Sequence, residues 1–322
     1  MGTTLRTEKW GKIYYNPKND EFSAEIYSNT RSKTPHPQSP IGIGWLITGA
    51  CNLKCIHCYG NSEDLPKKIL STNECLDIVE QIAQAGIMRV VISGGEPLLR
   101  DDVHIIIEKM HRLDISVVLG TNGSFINLDN VKFLNKCTKV EISFDAANQD
   151  LFNRIRPSRQ KHGDAWNETI NAMQLCVENG IMVKALTCIN VWNQYQINEI
   201  ASILTFLDIK EWGLSWITPA GRAIKNYTNL IPQEDVIRNE IIQVVKHYPD
   251  LKIKYSNYGQ KLSKYYFLIL PDGTIATEDV VIGKKINLGK LPQTDILDLW
   301  NNTNFNLSQH FQKWIGNRYK YI

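Results

Sequence analysis

The 322-residue sequence has no marked excess of charge of either sign. Its 36 Lys and Arg residues against 33 Asp and Glu residues give a formal net charge of +3, so we expect neither nucleic acid nor a membrane surface as a partner. The sequence contains no run of about 18 apolar residues, which excludes a transmembrane helix. The first residues, MGTTLRTEKWGKIYY, lack the apolar segment of a signal peptide, and we therefore predict a cytoplasmic protein.

Cysteine is missing from a long part of the chain. The seven cysteines are an odd number, and none of them follows Cys188. An odd count in a cytoplasmic protein argues against a disulfide framework. Ordinary zinc sites combine one C-x2-C pair with a second pair further along the chain, and this sequence has no second pair.

What the sequence does contain is a tight group of three cysteines, Cys51, Cys55 and Cys58, directly after an apolar, strand-like run. Thiolate ligands suit an iron–sulfur cluster or zinc. Three protein ligands leave one coordination position for another molecule, which is the arrangement of a reactive centre. The C-x3-C-x2-C spacing favours an iron–sulfur cluster, with zinc or three unrelated buried cysteines as the alternatives.

From residue 42 onwards, apolar strand-like runs alternate with segments of helical periodicity. This alternation predicts an α/β fold in which helices cover a parallel sheet. Six such units follow one another, so we predict a partial (β/α)6 TIM-like barrel over residues 42–248. The predicted strands and helices alternate as 41–48, 71–86, 88–93, 101–113, 115–120, 128–136, 139–144, 164–180, 181–190, 195–207, 210–217 and 232–248.

The region before the predicted barrel, residues 1–41, contains strand-like runs at 12–15 and 22–26 around the turn sequence NPKND. This pattern predicts an N-terminal β-hairpin, and the Pro-rich stretch 31–40 predicts a linker after it. We expect the hairpin either to pair with a peptide by strand addition or to pack beside the barrel.

The region after the predicted barrel, residues 249–322, changes character. Two strand-like runs flank the turn sequence Pro271-Asp272-Gly273, and a short helical segment ends near Trp300. We predict a small C-terminal α+β extension here.

The cysteine pattern and the loops after the predicted strands are similar to those of the radical S-adenosylmethionine (SAM) enzymes. In that family the pattern C-x3-C-x-aromatic-C binds a [4Fe–4S] cluster, and SAM occupies the open iron. The resemblance therefore implies Cys51, Cys55 and Cys58 as the cluster ligands and SAM as a second cofactor. His57 stands at the position that is often aromatic, which is a mild departure because its ring is also flat.

The resemblance continues at the predicted carboxyl ends of later strands, where ligand sites of such sheets lie. Glu96, within Gly94-Gly95-Glu96-Pro97, matches the family's GGEP motif, whose carboxylate is suited to the SAM ammonium group. Other residues receive roles from the resemblance alone: Asn122 beside the cofactor, Ser143 and Asp145 at the ribose, Arg156 at the SAM carboxylate, and Arg222 in a PxGR-like loop.

The resemblance implies a defined chemistry. The reduced cluster gives one electron to SAM, and the resulting 5′-deoxyadenosyl radical abstracts a hydrogen atom from an unactivated C–H bond. The protein then has to position the substrate and exclude water. An electron donor such as a flavodoxin or a ferredoxin is implied as a partner.

The extension is similar to the SPASM domain of peptide-modifying members, but it carries no cysteines for auxiliary clusters. We therefore predict one cluster and, as substrate, a ribosomally made precursor peptide. Redox-neutral epimerisation at Cα, as in proteusin-type peptide epimerases, is the sharper hypothesis, with Cys188 as candidate hydrogen-atom donor. The alternatives are thioether or crosslink formation, peptide excision, chemistry on a small metabolite, and a non-catalytic iron–sulfur protein.

Overall fold

The computed structural model describes residues 2–28, 37–60, 65–160, 163–256, 265–279, 284–302, 315 and 319–321. The strands β1 to β14 are Thr4–Glu8, Gly11–Asn16, Glu21–Ile26, Gly42–Thr48, Arg89–Gly94, Ser116–Thr121, Lys139–Ser143, Val183–Ile189, Glu211–Trp216, Lys252–Ser256, Tyr265–Ile269, Thr274–Asp279, Lys284–Lys290 and Tyr319–Tyr321. The α-helices α1 to α8 are Thr72–Gln84, Val103–Arg112, Gln149–Ile155, Ala165–Glu178, Ile197–Phe206, Tyr227–Leu230, Glu234–His247 and Ile296–Asn301.

The larger of two sheets has ten strands in the order β10-β9-β8-β7-β6-β5-β4-β11-β12-β13. Neighbouring strands from β4 to β10 are all parallel, and each of the first six is followed by helical structure. The predicted partial (β/α)6 architecture is therefore confirmed. One difference is β10, which pairs with β9 as a seventh parallel strand although its residues were assigned to the extension. Its mostly exposed pattern is that of an edge strand.

Side-chain caps explain half of the described α-helix starts, those of α1, α3, α4 and α8. Ser71 caps α1 through a complete capping box with Glu74, and the Asp164 side chain caps α4. The segment 128–136 forms a 3₁₀ helix over Val131–Lys136 in place of the predicted α-helix. Its two buried residues, at positions 131 and 134, are three apart, which matches the three-residue turn of that helix.

Two short helices, α6 and α3, were not predicted, and of these α3 bears on the candidate site. It has only seven residues, and the Asn148 side chain accepts a hydrogen bond from the Leu151 amide at its start. So short a segment gives too few turns for an apolar periodicity to be visible in the sequence. The helix matters because the chain leaves it at Arg156, beside the cysteine loop.

The second sheet has the order β1-β2-β3-β14. The predicted hairpin is present as the antiparallel pair β2–β3, and β1 extends it to a three-stranded meander. The parallel partner of β3 is β14 from the other end of the described chain. Most of the predicted linker, residues 31–36, lies outside the described residues.

The meander covers the amino-terminal ends of the parallel strands. Its apolar residues form a small core with Ile41 and Met88, which directly precede β4 and β5. The hairpin is thus not an edge strand of the main sheet. At its tip Asp20 receives two hydrogen bonds from the buried Arg89, at 2.5 and 2.7 Å. This ion pair anchors the meander to β5.

Two further ion pairs lie near the same ends of the strands. Lys139 of β7 pairs with Glu211 of β9 at 2.5 Å, and Lys184 of β8 pairs with Glu141 of β7 at 2.8 Å. Their side chains are largely buried, so each charge depends on its partner. The three ion pairs therefore lie near the amino-terminal ends of the parallel strands, whereas the candidate site lies at their carboxyl ends.

The C-terminal strands extend the main sheet on the side of β4. β11 pairs with β4 in parallel, and β12 and β13 continue antiparallel. The predicted turn between β11 and β12 is confirmed, with Gly273 at a φ of 86°. Trp300 of α8 packs edge-on against Phe267 of β11. In the part of the chain that the structure describes, no helix has both the length and the apolar character required to cross a bilayer.

We expect Asp20→Asn to lower the free energy of unfolding by about 3 kcal/mol, because it leaves the buried Arg89 guanidinium without its counter-charge. Denaturant unfolding followed by circular dichroism measures this loss. The matched control is Asp208→Asn, since Asp208 also has a positive φ, 59° against 55° for Asp20, and also pairs with a cation. That pair, with Lys210, is exposed, so no loss beyond experimental error is expected. Equal losses for both variants would contradict an anchoring role.

Candidate active site

The cysteine loop follows β4 and is held by the segment after α3. The amides of Lys54 and Ile56 donate to the carbonyls of Pro157 and Ile155, at 2.8 and 3.0 Å. An isolated antiparallel bridge joins the same two segments. These contacts fix the path of the backbone that carries the three cysteines.

Burial determines the chemistry of the three thiols. Cys55 is buried, and Cys51 and Cys58 are half-buried. Burial raises the pKa of Cys55 to about 12, and it also raises the pKa of Cys51. Both groups are therefore neutral thiols near pH 7 in the protein alone. A metal centre would convert them to thiolates by its own charge, so the donor set fits iron.

Within the described ranges, no three His, Cys, Asp or Glu side chains form a group that would hold a single metal ion. A zinc site brings each sulfur to about 2.3 Å from one ion, so the loop would have to close further to form one. A cubane cluster has no such requirement, because each cysteine binds a different iron.

The glycines of the GGEP sequence allow β5 to lie against the start of the cysteine loop. A Cβ atom on Gly94 would lie 2.4 Å from the Thr48 carbonyl oxygen, and one on Gly95 would lie 2.0 Å from that of Ala50. The amides of Gly95 and Glu96 donate to the same two carbonyls at 2.7 Å. Any side chain at either position would push the loop away from β5.

The Glu96 carboxylate is completely buried. It accepts hydrogen bonds from the Thr121 hydroxyl at 2.7 Å and from the amides of Leu98 and Asn122 at 3.0 and 2.8 Å. Pro97 begins the turn that supplies the Leu98 amide. Burial raises the pKa of Glu96, although these donors oppose the change. Because all three donors are neutral, an added ammonium group would stabilise the carboxylate. The charge of the site therefore suits the predicted SAM contact, although the ammonium group would have to share oxygens that already have protein partners.

Asn122 connects the loop after β6 to the cysteine loop. Its side-chain amide donates to the side-chain oxygen of Asn52 at 2.8 Å. The next residue, Gly123, has a φ of 86° and turns the chain onto α4, where a Cβ would lie 3.2 Å from that of Ala172. The structure thus brings Asn122, Glu96 and the cysteine loop together.

Asp145 lies after β7 and is completely buried. One carboxylate oxygen accepts from Arg156 Nε at 2.5 Å and lies 3.1 Å from His57 Nε2. The other accepts from the Cys188 amide at 2.7 Å. Burial alone would raise the pKa of Asp145, but the charge of Arg156 and the contact with His57 hold it well below its usual range. Since both oxygens have protein partners, ribose binding would have to share them. Ser143 is half-buried at the end of β7.

Arg156 and Arg222 both contact the cysteine loop. Arg156 is buried, and its Nη1 lies 3.6 Å from Cys55 Sγ. Arg222 donates from its amide to the Cys58 carbonyl at 2.9 Å and from Nη1 to the Cys55 carbonyl at 2.8 Å. Both arginines therefore position the loop, and their predicted contacts with SAM stay predictions.

Cys188 lies near the carboxyl end of β8, opposite Ser215 of β9. Its half-buried side chain shares a face with Lys184 and Leu186, whereas the alternate residues are buried. Burial raises the pKa of Cys188 well above its ordinary value. It also packs beside Trp216 on a small apolar cluster. The cysteine therefore lies at the same end of the sheet as the cysteine loop.

Three contacts with the cysteine loop and its flanks were missed by sequence reasoning. The charge contact of His57 with Asp145 was not foreseen. Arg159 donates to the carbonyls of Asn52 and Leu53, and Arg100 donates to the carbonyl of Ile47 at 3.2 Å. The available signal was position, because both arginines directly follow segments already singled out. Nothing in the spacing indicates that they bind backbone carbonyls.

A family model described as the radical SAM superfamily matches residues 45–207. The AdoMet-dependent heme synthase of Methanosarcina barkeri is 27% identical over 187 residues, which cover 57% of this chain and 52% of that protein. Mycofactocin maturase MftC of Mycobacterium ulcerans is 33% identical over 120 residues, which cover 37% of this chain and 32% of that protein. The chain thus spans about a third to a half of the length of these relatives.

The fold is also similar to solved structures. SuiB of Streptococcus suis, solved with S-adenosylmethionine, gives a TM-score of 0.72 at 17% identity, covering 94% of this chain and 88% of that chain. SuiB has also been solved with the precursor peptide SuiA, with a TM-score of 0.70. At this level of identity, the likeness shows a shared fold.

After anaerobic reconstitution we expect about four irons per chain, as one [4Fe–4S] cluster requires. Replacing Cys51, Cys55 or Cys58 by Ala should remove most of the iron and the visible absorbance. Cys176→Ala is the control, because this thiol is buried on α4 among apolar residues and should leave the iron content unchanged. About eight irons in the unmodified protein would contradict a single cluster.

Glu96→Gln should weaken SAM binding to the reconstituted protein by about 10- to 100-fold, the usual worth of a hydrogen bond to a charged group. Titration calorimetry under anaerobic conditions measures the dissociation constant, and the iron content should stay constant. Glu74→Gln removes a hydrogen-bonded carboxylate at the exposed start of α1 and should not change the affinity. An unchanged dissociation constant for Glu96→Gln would contradict the ammonium contact.

Proposed function

The chain belongs to the radical SAM superfamily, and we propose that it modifies a ribosomally made peptide by abstracting a hydrogen atom from it. The family's cofactors, a [4Fe–4S] cluster and SAM, supply a 5′-deoxyadenosyl radical when bound. We assign the cluster to Cys51, Cys55 and Cys58 and the SAM ammonium to Glu96. The observation that carries the proposal is the packing of the cysteine loop directly against β5 and its buried carboxylate.

A peptide substrate is supported by the likeness to SuiB, which covers 94% of this chain and which was solved with a precursor peptide. The maturase MftC, similar over a third of this chain, supports the same substrate class. We infer that the C-terminal strands, which extend the sheet beside β4, help to bind the peptide. A flavodoxin or a ferredoxin is proposed as the electron donor.

Epimerisation at Cα is the sharper proposal, and Cys188 is its candidate hydrogen-atom donor. The raised pKa keeps Cys188 as a neutral thiol near pH 7, and only the S–H form has a hydrogen atom to give. In the proposed step, the 5′-deoxyadenosyl radical takes the Cα hydrogen, and the thiol returns a hydrogen atom to the other face. The sulfur-centred radical left on Cys188 then takes one electron and one proton, with the proposed electron donor supplying the electron.

Chemistry on a small cofactor precursor is the second candidate. It is favoured by the heme synthase relative, which is similar over 57% of this chain. Peptide crosslinking, thioether formation and excision remain alternatives within the first class. The two classes differ in the substrate that is converted when SAM is cleaved. A peptide-modifying enzyme couples SAM cleavage to product formation only when its peptide is present.

With a candidate precursor peptide in D2O, we expect each modified residue to gain about 1 Da, because an exchangeable thiol deuteron replaces the Cα hydrogen. Mass spectrometry of the peptide measures the gain, and crosslinking would instead remove about 2 Da. Formation of 5′-deoxyadenosine without any mass change of the peptide would contradict peptide epimerisation and direct attention to the second candidate.

Cys188→Ala should still form 5′-deoxyadenosine but lose nearly all of the mass gain, since the peptide radical lacks its donor. The control is Cys137→Ala. Cys137 directly precedes β7 at the opposite end of the sheet and lines a cavity with Pro17 and His111. It should therefore leave the mass gain unchanged. Full deuterium incorporation by Cys188→Ala would exclude it as the donor.

A further inference from the structure

The contact between Arg156 and Cys55 differs from the other arginine contacts with the cysteine loop. Arg100, Arg159 and Arg222 donate side-chain hydrogen bonds to backbone carbonyls on the loop and its flanks. The Nη1 of Arg156 instead faces the sulfur of a predicted cluster ligand, at 3.6 Å. Its guanidinium is therefore placed to change the electron density on the Cys55 sulfur as well as to hold the loop in shape.

The orientation of Arg156 is fixed by Asp145. The Arg156 Nε donates to the Asp145 carboxylate at 2.5 Å, and that carboxylate is completely buried. The second carboxylate oxygen is held by the Cys188 amide at 2.7 Å. The guanidinium thus has its Nε on a fixed anion and its Nη2 3.5 Å from His57 Nε2, and its Nη1 is directed at the thiol of Cys55.

An N–H donor and a positive charge beside a ligand sulfur stabilise the more negative state of a cluster. Reduction potentials of iron–sulfur clusters depend on net charge, on hydrogen bonds to the sulfurs and on solvent exposure. Arg156 and Asp145 are both buried, so their charges are weakly screened by solvent. Arg156 favours the added electron, and Asp145, further from the sulfur, opposes it.

We propose that Arg156 raises the reduction potential of the cluster through its contact with Cys55, and that Asp145 moderates this effect as its counter-ion. This inference rests on the proposed assignment of Cys55 as a cluster ligand. The step concerned is the uptake of one electron by the oxidised cluster from an external low-potential reductant. Arg156 is a positioning residue in this account and takes no part in bond breaking.

Substitutions of Arg156 and Asp145 are expected to shift the reduction potential of the cluster in opposite directions. This difference separates an electrostatic role from a structural one. Arg156→Gln removes the positive charge and the donor, so the potential should fall by at least the equivalent of a tenfold change in the reduction equilibrium, about 59 mV for one electron. Asp145→Asn keeps Arg156 and removes the negative charge, so the potential should rise. Arg156→Lys keeps the charge without the guanidinium fork and should fall between Arg156→Gln and the unmodified protein.

The test is a potentiometric titration of the reconstituted protein with dithionite and mediators, followed by electron paramagnetic resonance of the reduced cluster. Arg159→Gln is the matched control, because it removes a nearby arginine that donates to a carbonyl. Its shift should be less than a third of that of Arg156→Gln. Equal shifts for the two arginine variants, or shifts of the same sign for Arg156→Gln and Asp145→Asn, would overturn the inference.

Three further outcomes complete the test and distinguish this inference from the function on which it rests. If the Arg156→Gln protein takes up no cluster, the reduction potential of the Asp145→Asn protein is the deciding measurement. An unchanged or lowered potential in Asp145→Asn then overturns the inference. If the unmodified protein shows no cluster signal, the ligand assignment itself fails, and the inference fails with it. A normal cluster signal with an unaltered potential in both variants would refute the inference and leave the proposed function intact.

Discussion

The buried Asp145 carboxylate requires polar and charged partners, and these partners come from several elements around the cysteine loop. Asp145 comes from the end of β7, Arg156 from the end of α3, the Cys188 amide from β8 and His57 from the loop itself. A buried charge without partners costs several kcal/mol, so these four elements are constrained to one arrangement. The cysteine loop is held in place because the Asp145 carboxylate needs its contact with His57 and with Arg156.

Close backbone packing adds a second constraint on the same loop. Gly94 and Gly95 leave no space for a Cβ between β5 and the loop, and Gly221 packs equally close to the Cys58 carbonyl from the other side. With Arg222, these contacts define the loop on two flanks. Such rigidity suits a centre that has to place a reactive atom within a few tenths of an ångström of its target.

Sequence reasoning predicted the parallel sheet, most of its helices, the PDG turn and the position of every candidate loop, because apolar period and turn residues are local signals. It could not predict α3 or the role of His57. Both depend on contacts between residues far apart in the chain, and a short helix gives no period. The resemblance assigned Asp145 and Arg156 to SAM, whereas the structure gives them protein partners first. Which of several polar residues at the strand ends pair with each other is a tertiary property that spacing does not encode.

The pairing of β3 with β14 has a consequence for the order of folding. Ala24 and Tyr319 are register partners in one sheet although they lie near opposite ends of the described chain. Contacts of such high sequence separation carry a large loop-closure cost and form late. Neighbouring parallel strands from β4 to β9 are closer in sequence, whereas Arg156 and Arg222 contact Cys55 across 101 and 167 residues. The β1-β2-β3 meander is built from contacts that are local in sequence, so β14 is the strand that joins this sheet last.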